Sequence, residues 1–96
     1  MTRFVLSPRA QIDLEEIWDY TSLRWSEPQA ERYIRSIWIA IELIASDPSS
    51  ARACDDVRTG YRKYFIGAHV LFIREIEGGV NVVRILHQRM DFERHL

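Results

Sequence analysis

The sequence predicts an α+β fold: a strand, a two-helix hairpin, then a three-stranded antiparallel meander, with both helices packed on one face of the sheet. Three observations predict it. Apolar residues recur at helical spacing in two successive segments between Pro8 and Ser46. After Asp56 the period changes to two, in runs rich in β-branched and aromatic residues. Gly67-Ala68 and Gly78-Gly79 then separate those runs at hairpin spacing.

Thr2 to Leu6 alternates weakly and reads as a short strand. Ser7-Pro8 starts a helix, Ser as the cap and Pro at the first helical position. Ala10, Leu14, Ile17, Trp18, Thr21 and Trp25 form its apolar face, opposite Glu15, Glu16 and Asp19. Trp25-Ser26-Glu27-Pro28 breaks it, and a second helix runs to about Ser46, where Asp47-Pro48 stops it. That helix has a main face of Ile34, Ile37, Trp38, Ile41, Ile44 and Ala45. At roughly 100° per residue, Ile39 and Leu43 point almost directly away from it, beside Arg32, Arg35 and Ser36. A second stripe of this kind implies cover on both sides or a surface that awaits a partner.

Pro48 to Asp56 is a polar connection. Val57–Ile66, Val70–Ile76 and Val80–His87 are the three strands of the meander. Alternation puts Arg58, Gly60, Arg62, Tyr64 and Ile66 on one face of the first strand, and Val57, Thr59, Tyr61, Lys63 and Phe65 on the other. On the last strand it groups Arg84 with Val80, Val82 and Leu86, against Asn81, Val83, Ile85, His87 and Arg89. Each face mixes apolar and basic residues, so periodicity alone leaves open which one meets the helices. The face left open presents Arg and aromatic groups side by side, a surface suited to nucleotides or to a protein partner.

The 96 residues fit one domain, 1–96. Such a chain buries only about 60–65% of its unfolded surface, so its stability is modest and a bound partner would raise it. The single cysteine, Cys54, has no partner for an intrachain disulfide. The start lacks a signal-peptide pattern, and no apolar run approaches the ~20 residues of a membrane span. These features point to the cytoplasm and to no membrane partner.

Net charge is −1, unevenly spread: five Arg face eight acids in residues 1–48, and eight basic residues face six acids in 49–96. The second half therefore carries any phosphate-facing surface, although the bias is far weaker than in a dedicated nucleic-acid binder. Twelve of the thirteen basic residues are Arg, whose planar fork suits carboxylates and phosphates.

The chain has no glycine-rich phosphate loop, no Cys-x-x-Cys and no nucleophile motif. Its histidines and Cys54 show no metal-ligand spacing, so neither a metal nor a cofactor is expected. Metal-free RNA cleavage would require a base, an acid and cations around the phosphate. His87, with Arg84 and Arg62, is the set such chemistry would use, and Arg58, Lys63 and Arg89 would add charge. The favoured reading of His87 is structural, a strand-end histidine without a second acid–base residue beside it. Met90 and Phe92 read as apolar anchors that fold the tail back.

Three segments in this order resemble the RelE/ParE toxin superfamily of type II toxin–antitoxin systems, and within it the ParE branch. LSPRAQIDLEEIWDY (6–20) is similar to the first strand end and helix, VRTGYRKYFIGAHVLFI (57–73) to the central hairpin, and VVRILHQRMDFERHL (82–96) to the closing strand and tail. The resemblance implies a bacterial toxin that inhibits DNA gyrase by binding it. It also implies neutralisation by a ParD-like antitoxin with a ribbon-helix-helix DNA-binding domain, operator DNA being contacted only through that antitoxin. The alternative it implies is ribosome-dependent mRNA cleavage of the RelE type. Gln88 stands where that type of site closes with an aromatic residue, a departure that weighs against cleavage. The binding surface expected for target or antitoxin comprises Ile39, Leu43, Arg58, Tyr61, Arg62, Lys63, Arg84, His87 and Arg89.

Overall fold

The computed structural model describes residues 3–96, and the Thr2 end of the expected first strand lies outside them. A strand β1 (Phe4–Leu6) leads into two helices, α1 (Pro8–Arg24) and α2 (Glu27–Ser46). Four further strands follow, β2 (Arg52–Ala53), β3 (Tyr61–Ile66), β4 (His69–Ile76) and β5 (Gly79–His87), and one helical turn, α3 (Phe92–His95), ends the chain. The sheet order is β1-β5-β4-β3-β2, with β1 parallel to β5 and every other pair antiparallel. The expected α+β architecture is the one observed.

Both helix starts follow from their caps. The Ser7 hydroxyl accepts from Ala10 N–H at 3.0 Å and Ser26 accepts from Gln29 N–H at 3.2 Å, each satisfying an otherwise orphaned donor. Pro8 and Pro28 lie in the first turns, where a missing N–H costs nothing. The main core lies between the helices and the sheet, built on Ile37, Ile41 and Ile44 of α2 against Leu71, Ile73, Val80, Val82 and Ile85. A second, smaller cluster on the far face joins Cys54, Tyr61, Val70, Phe72 and Leu86. Phe92 closes part of it by stacking edge-on against Phe72, with ring centroids 4.8 Å apart. The tail thus folds back through Phe92, while Met90 stays exposed.

Three sequence expectations change. The strand expected at Val57–Ile66 begins only at Tyr61, because residues 54–60 form a tight turn: Val57 and Arg58 N–H both donate to Cys54 O. Gly60 holds that turn at φ +84, where its N–H reaches Asp55 Oδ1 at 2.8 Å. The connection before it contains β2, whose two residues are too few to show any alternation. On α1 the buried face is rotated toward Asp13, which leaves Trp18 and Trp25 exposed.

The third change concerns β5. Phe72 pairs with Arg84 but Ile73 pairs with Val82, so Val83 is an extra residue, a β-bulge. The bulge reverses the alternation. Ile85, expected opposite Val80 and Val82, joins them in the helix-side core, and Leu86 moves to the far cluster.

Beyond Leu6, β1 no longer covers β5, and α1 takes over that edge. Ser7 N–H donates to Val82 O at 3.0 Å and the Ser7 hydroxyl to Val83 O at 2.6 Å. Asp13 accepts Ile85 N–H at 2.9 Å through Oδ2. Its two oxygens also take a bidentate pair from Arg84, Nε at 2.8 Å and Nη2 at 3.0 Å, with both side chains buried. The remaining Arg84 nitrogen, Nη1, donates to His95 O at 2.7 Å and ties down the tail.

Asp13→Ala leaves Arg84 and the Ile85 N–H buried without their acceptor. It is expected to cost about 3–5 kcal/mol, a large share of the stability of so small a domain. Urea denaturation should show a lower midpoint at an unchanged slope, and a loss below about 1 kcal/mol would refute the role given to this pair.

Candidate functional site

An open cleft of about 630 Å3 lies between the outer side of α1, the α1–α2 junction and the ends of β4 and β5. Tyr20, Trp25, Tyr33, His69, His87 and Met90 give it an aromatic and apolar lining, and Arg9 and Arg24 stand with Glu16 on the α1 side. The volume lies within the range of ordinary binding sites.

At one end sits a small polar relay. Ala68 N–H donates to the Tyr33 hydroxyl oxygen at 3.0 Å, and that oxygen lies 2.6 Å from His69 Nδ1 and 3.2 Å from Ile66 O. Burial pushes the Tyr33 phenol above its ordinary pKa, so it stays protonated and donates. The hydroxyl donates to Ile66 O, and the His69 tautomer sets the direction of its contact with Nδ1. Burial first, and the neighbouring His87 second, lower His69 to about 4. Gly67 (φ +57) makes the approach possible, since a Cβ there would come within 2.6 Å of the Tyr33 ring. His87 lies edge-on to His69, ring centroids 5.5 Å apart, and its Nδ1 accepts Arg89 N–H at 3.1 Å.

The residues expected for binding divide among separate places. Ile39 and Leu43 are exposed on the outer side of α2, at 61% and 46%. Arg58 and Arg74 both stack on Tyr61, at 5.9 and 5.6 Å, and Lys63 lies over Phe65 at 5.8 Å, which makes a basic aromatic patch on the far face. Arg62 lies on the other face, where it pairs with Glu75 at 3.3 Å and donates to Ala51 O at 2.9 Å. Arg84 borders the cleft but is held by Asp13, and that hydrogen bonding raises its pKa further. Arg89 follows β5 and is exposed.

The nuclease set does not converge. Arg62 pairs with Ile73 and His87 with His69, four residues apart along β4, a separation of roughly 13 Å. Among the described residues, no three His, Cys, Asp or Glu side chains group as a metal site would need. Buried Cys54 has its thiol pushed up by desolvation and is a packing group.

Asp13 and Tyr33 are absent from the sequence-based set. Asp13 carried a readable signal, a carboxylate three residues after Ala10 and four before Ile17 on the apolar side of α1. Tyr33 carried none, because its role depends on the distant turn at Gly67.

Taken together, a helical hairpin on a five-stranded sheet, with an aromatic, Arg-flanked cleft at one side, defines a small α+β protein. Its fold is shared with a solved structure described as "Chromosomal ParDE TA system from P. aeruginosa", with a TM-score of 0.79, 15% identity, and coverage of 91% of this chain and 96% of that one. A family model described as "ParE toxin of type II toxin-antitoxin system, parDE" matches residues 4–92, and the chain belongs to that family. It is 53% identical over 96 residues to Toxin ParE1 of Mycobacterium tuberculosis H37Rv, covering 99% of this chain and 98% of that protein. It is 40% identical over 96 residues to Toxin ParE1 of Caulobacter vibrioides, covering 100% and 99% respectively.

The low pKa of His69 carries a pH signature. The unfolded chain takes up this proton near 6.5 and the folded chain only near 4, so folding stability rises with pH through that window and is lost as pH falls from 6.5 toward 4. NMR titration should place the His69 midpoint near 4. His69→Gln should flatten the urea-midpoint curve between pH 4 and 6.5, whereas wild-type and variant curves that run parallel would show no such coupling.

Proposed function

We propose that this chain arrests bacterial growth in the cytoplasm by binding and inhibiting DNA gyrase without catalysis, and that a ParD-like antitoxin neutralises it. The observation that carries the non-catalytic reading is the engagement of the cations a nuclease would need. Arg84 is spent on Asp13 and His95 O, and Arg62 on Glu75 and Ala51 O, far along the sheet from His87. A phosphate-cleaving site requires convergent groups within hydrogen-bond reach of one another.

Recognition of a protein has support of its own. Trp25 is 64% exposed and Leu23 88%, at the turn of the helical hairpin. An acidic, amphipathic antitoxin segment, disordered when free, suits the cleft: apolar anchors enter among Tyr20, Trp25 and Met90, and carboxylates meet Arg9 and Arg24. The basic aromatic patch of Arg58, Tyr61, Lys63 and Arg74 on the opposite face is then free for the target. Operator DNA is reached only through the antitoxin.

The test applies the purified chain to gyrase supercoiling and, separately, to translating ribosomes. Loss of supercoiling with messages intact is expected, and His87→Ala should retain growth arrest. Cleaved messages with supercoiling untouched would establish the RelE-type endoribonuclease instead, and abolition of arrest by His87→Ala in a folded protein that still binds antitoxin would overturn the structural reading of His87.

A further inference from the structure

The outer side of α2 has no place in the toxin–antitoxin reading above, and its pattern is self-complementary. We propose that it is an isologous interface through which two copies of this chain pair, with their α2 helices antiparallel. With Ile39 as origin, Arg35 lies about 6 Å toward the N-terminus and Glu42 about 4.5 Å toward the C-terminus, and both fall on the same side of the stripe, at about −40° and −60°. A twofold axis perpendicular to both helices reverses height and keeps that side. Arg35 of one copy therefore meets Glu42 of the other, twice, around a central pair of Ile39 side chains.

Leu43 completes the fit. It lies about 6 Å from Ile39 on the other side, at about +40°, and the twofold axis sets it over the partner copy's Arg32, Arg35, Ser36 and Ile39. These four have the i, i+3, i+4, i+7 spacing of a hole that receives a knob in helix packing. The same four residues, with Pro28 and Glu31, line a surface depression of about 370 Å3. Arg32 then faces the C-terminal end of the other α2, where the helix dipole favours a cation.

Arg35 already pairs with Glu31 at 3.0 Å, but both side chains are well exposed, so sharing Arg35 with a second carboxylate costs little. Reciprocity of this kind, with residue i meeting j while j meets i, is what a second copy requires and what an unrelated partner does not. One helix against one helix buries less than about 1,200 Å2, so the dimer is weak, with a dissociation constant between about 10 µM and 1 mM.

Sedimentation equilibrium of the chain freed from antitoxin, from about 5 µM to 1 mM, tests this. A monomer–dimer equilibrium is expected. Arg35→Glu and Glu42→Arg should each weaken it at least about tenfold, and the two together should restore it to within about threefold, with far-UV circular dichroism unchanged throughout. A monomer at every concentration would overturn the proposal, as would a dimer that survives Ile39→Asp or an exchange that fails to restore association. A monomeric chain in which Ile39→Asp weakens antitoxin binding would assign the stripe to the antitoxin.

Discussion

One buried carboxylate organises this molecule. Asp13 takes three hydrogen bonds from β5, two from the Arg84 guanidinium and one from the Ile85 N–H, and Arg84 passes a further bond to the tail at His95. An apolar pair of similar volume would hold α1 against the sheet at least as firmly, since desolvation offsets most of the attraction in a buried ion pair. It would leave the Ile85 N–H without an acceptor, and it would let α1 slide along β5. The ion pair settles position as much as strength, and α1, β5 and the tail, which border the cleft, are tied together by it.

The bulge at Val83 works with that pair. A regular β5 would send Ile85 away from the helices and place a polar residue in the main core. With the bulge, Val80, Val82 and Ile85 all face α2, while Leu86 supports the far cluster under Phe92. The bulge sits just past the end of the β1 pairing at Val82, where α1 begins to cover the β5 edge. The strand can therefore take an extra residue there without breaking a ladder on that side.

Sequence reasoning reached the architecture because the helices announce themselves locally. Ser7-Pro8 and Ser26-x-Pro28 mark the starts, Asp47-Pro48 a stop, and Ile39 with Leu43 point outward in the structure as the helical period requires. It failed where the deciding contact is distant in the chain. The bulge depends on α1 covering an edge more than 70 residues away, and Tyr33 reaches His69 only because Gly67 lets a turn approach. Arg84 and Arg62 looked available for phosphate because a sequence displays charge but not the carboxylate or carbonyl that already holds it.

Arginines already held within the fold constrain how such a domain can evolve a target. Twelve arginines give it many potential anion contacts, yet those fixed in hydrogen bonds within the fold contribute no new contact without unravelling it. The ones left accessible are spread over separate surfaces. Arg58 and Arg74 lie stacked on Tyr61, Arg9 and Arg24 flank the cleft, and Arg32 and Arg35 border an apolar stripe on α2. In each case a planar cation lies next to apolar or aromatic surface, the composition enriched at the centres of protein interfaces. Substitution on one of these surfaces can change a partner without disturbing Asp13 and Arg84. A fold tied together by one internal ion pair is thereby free to vary its recognition faces.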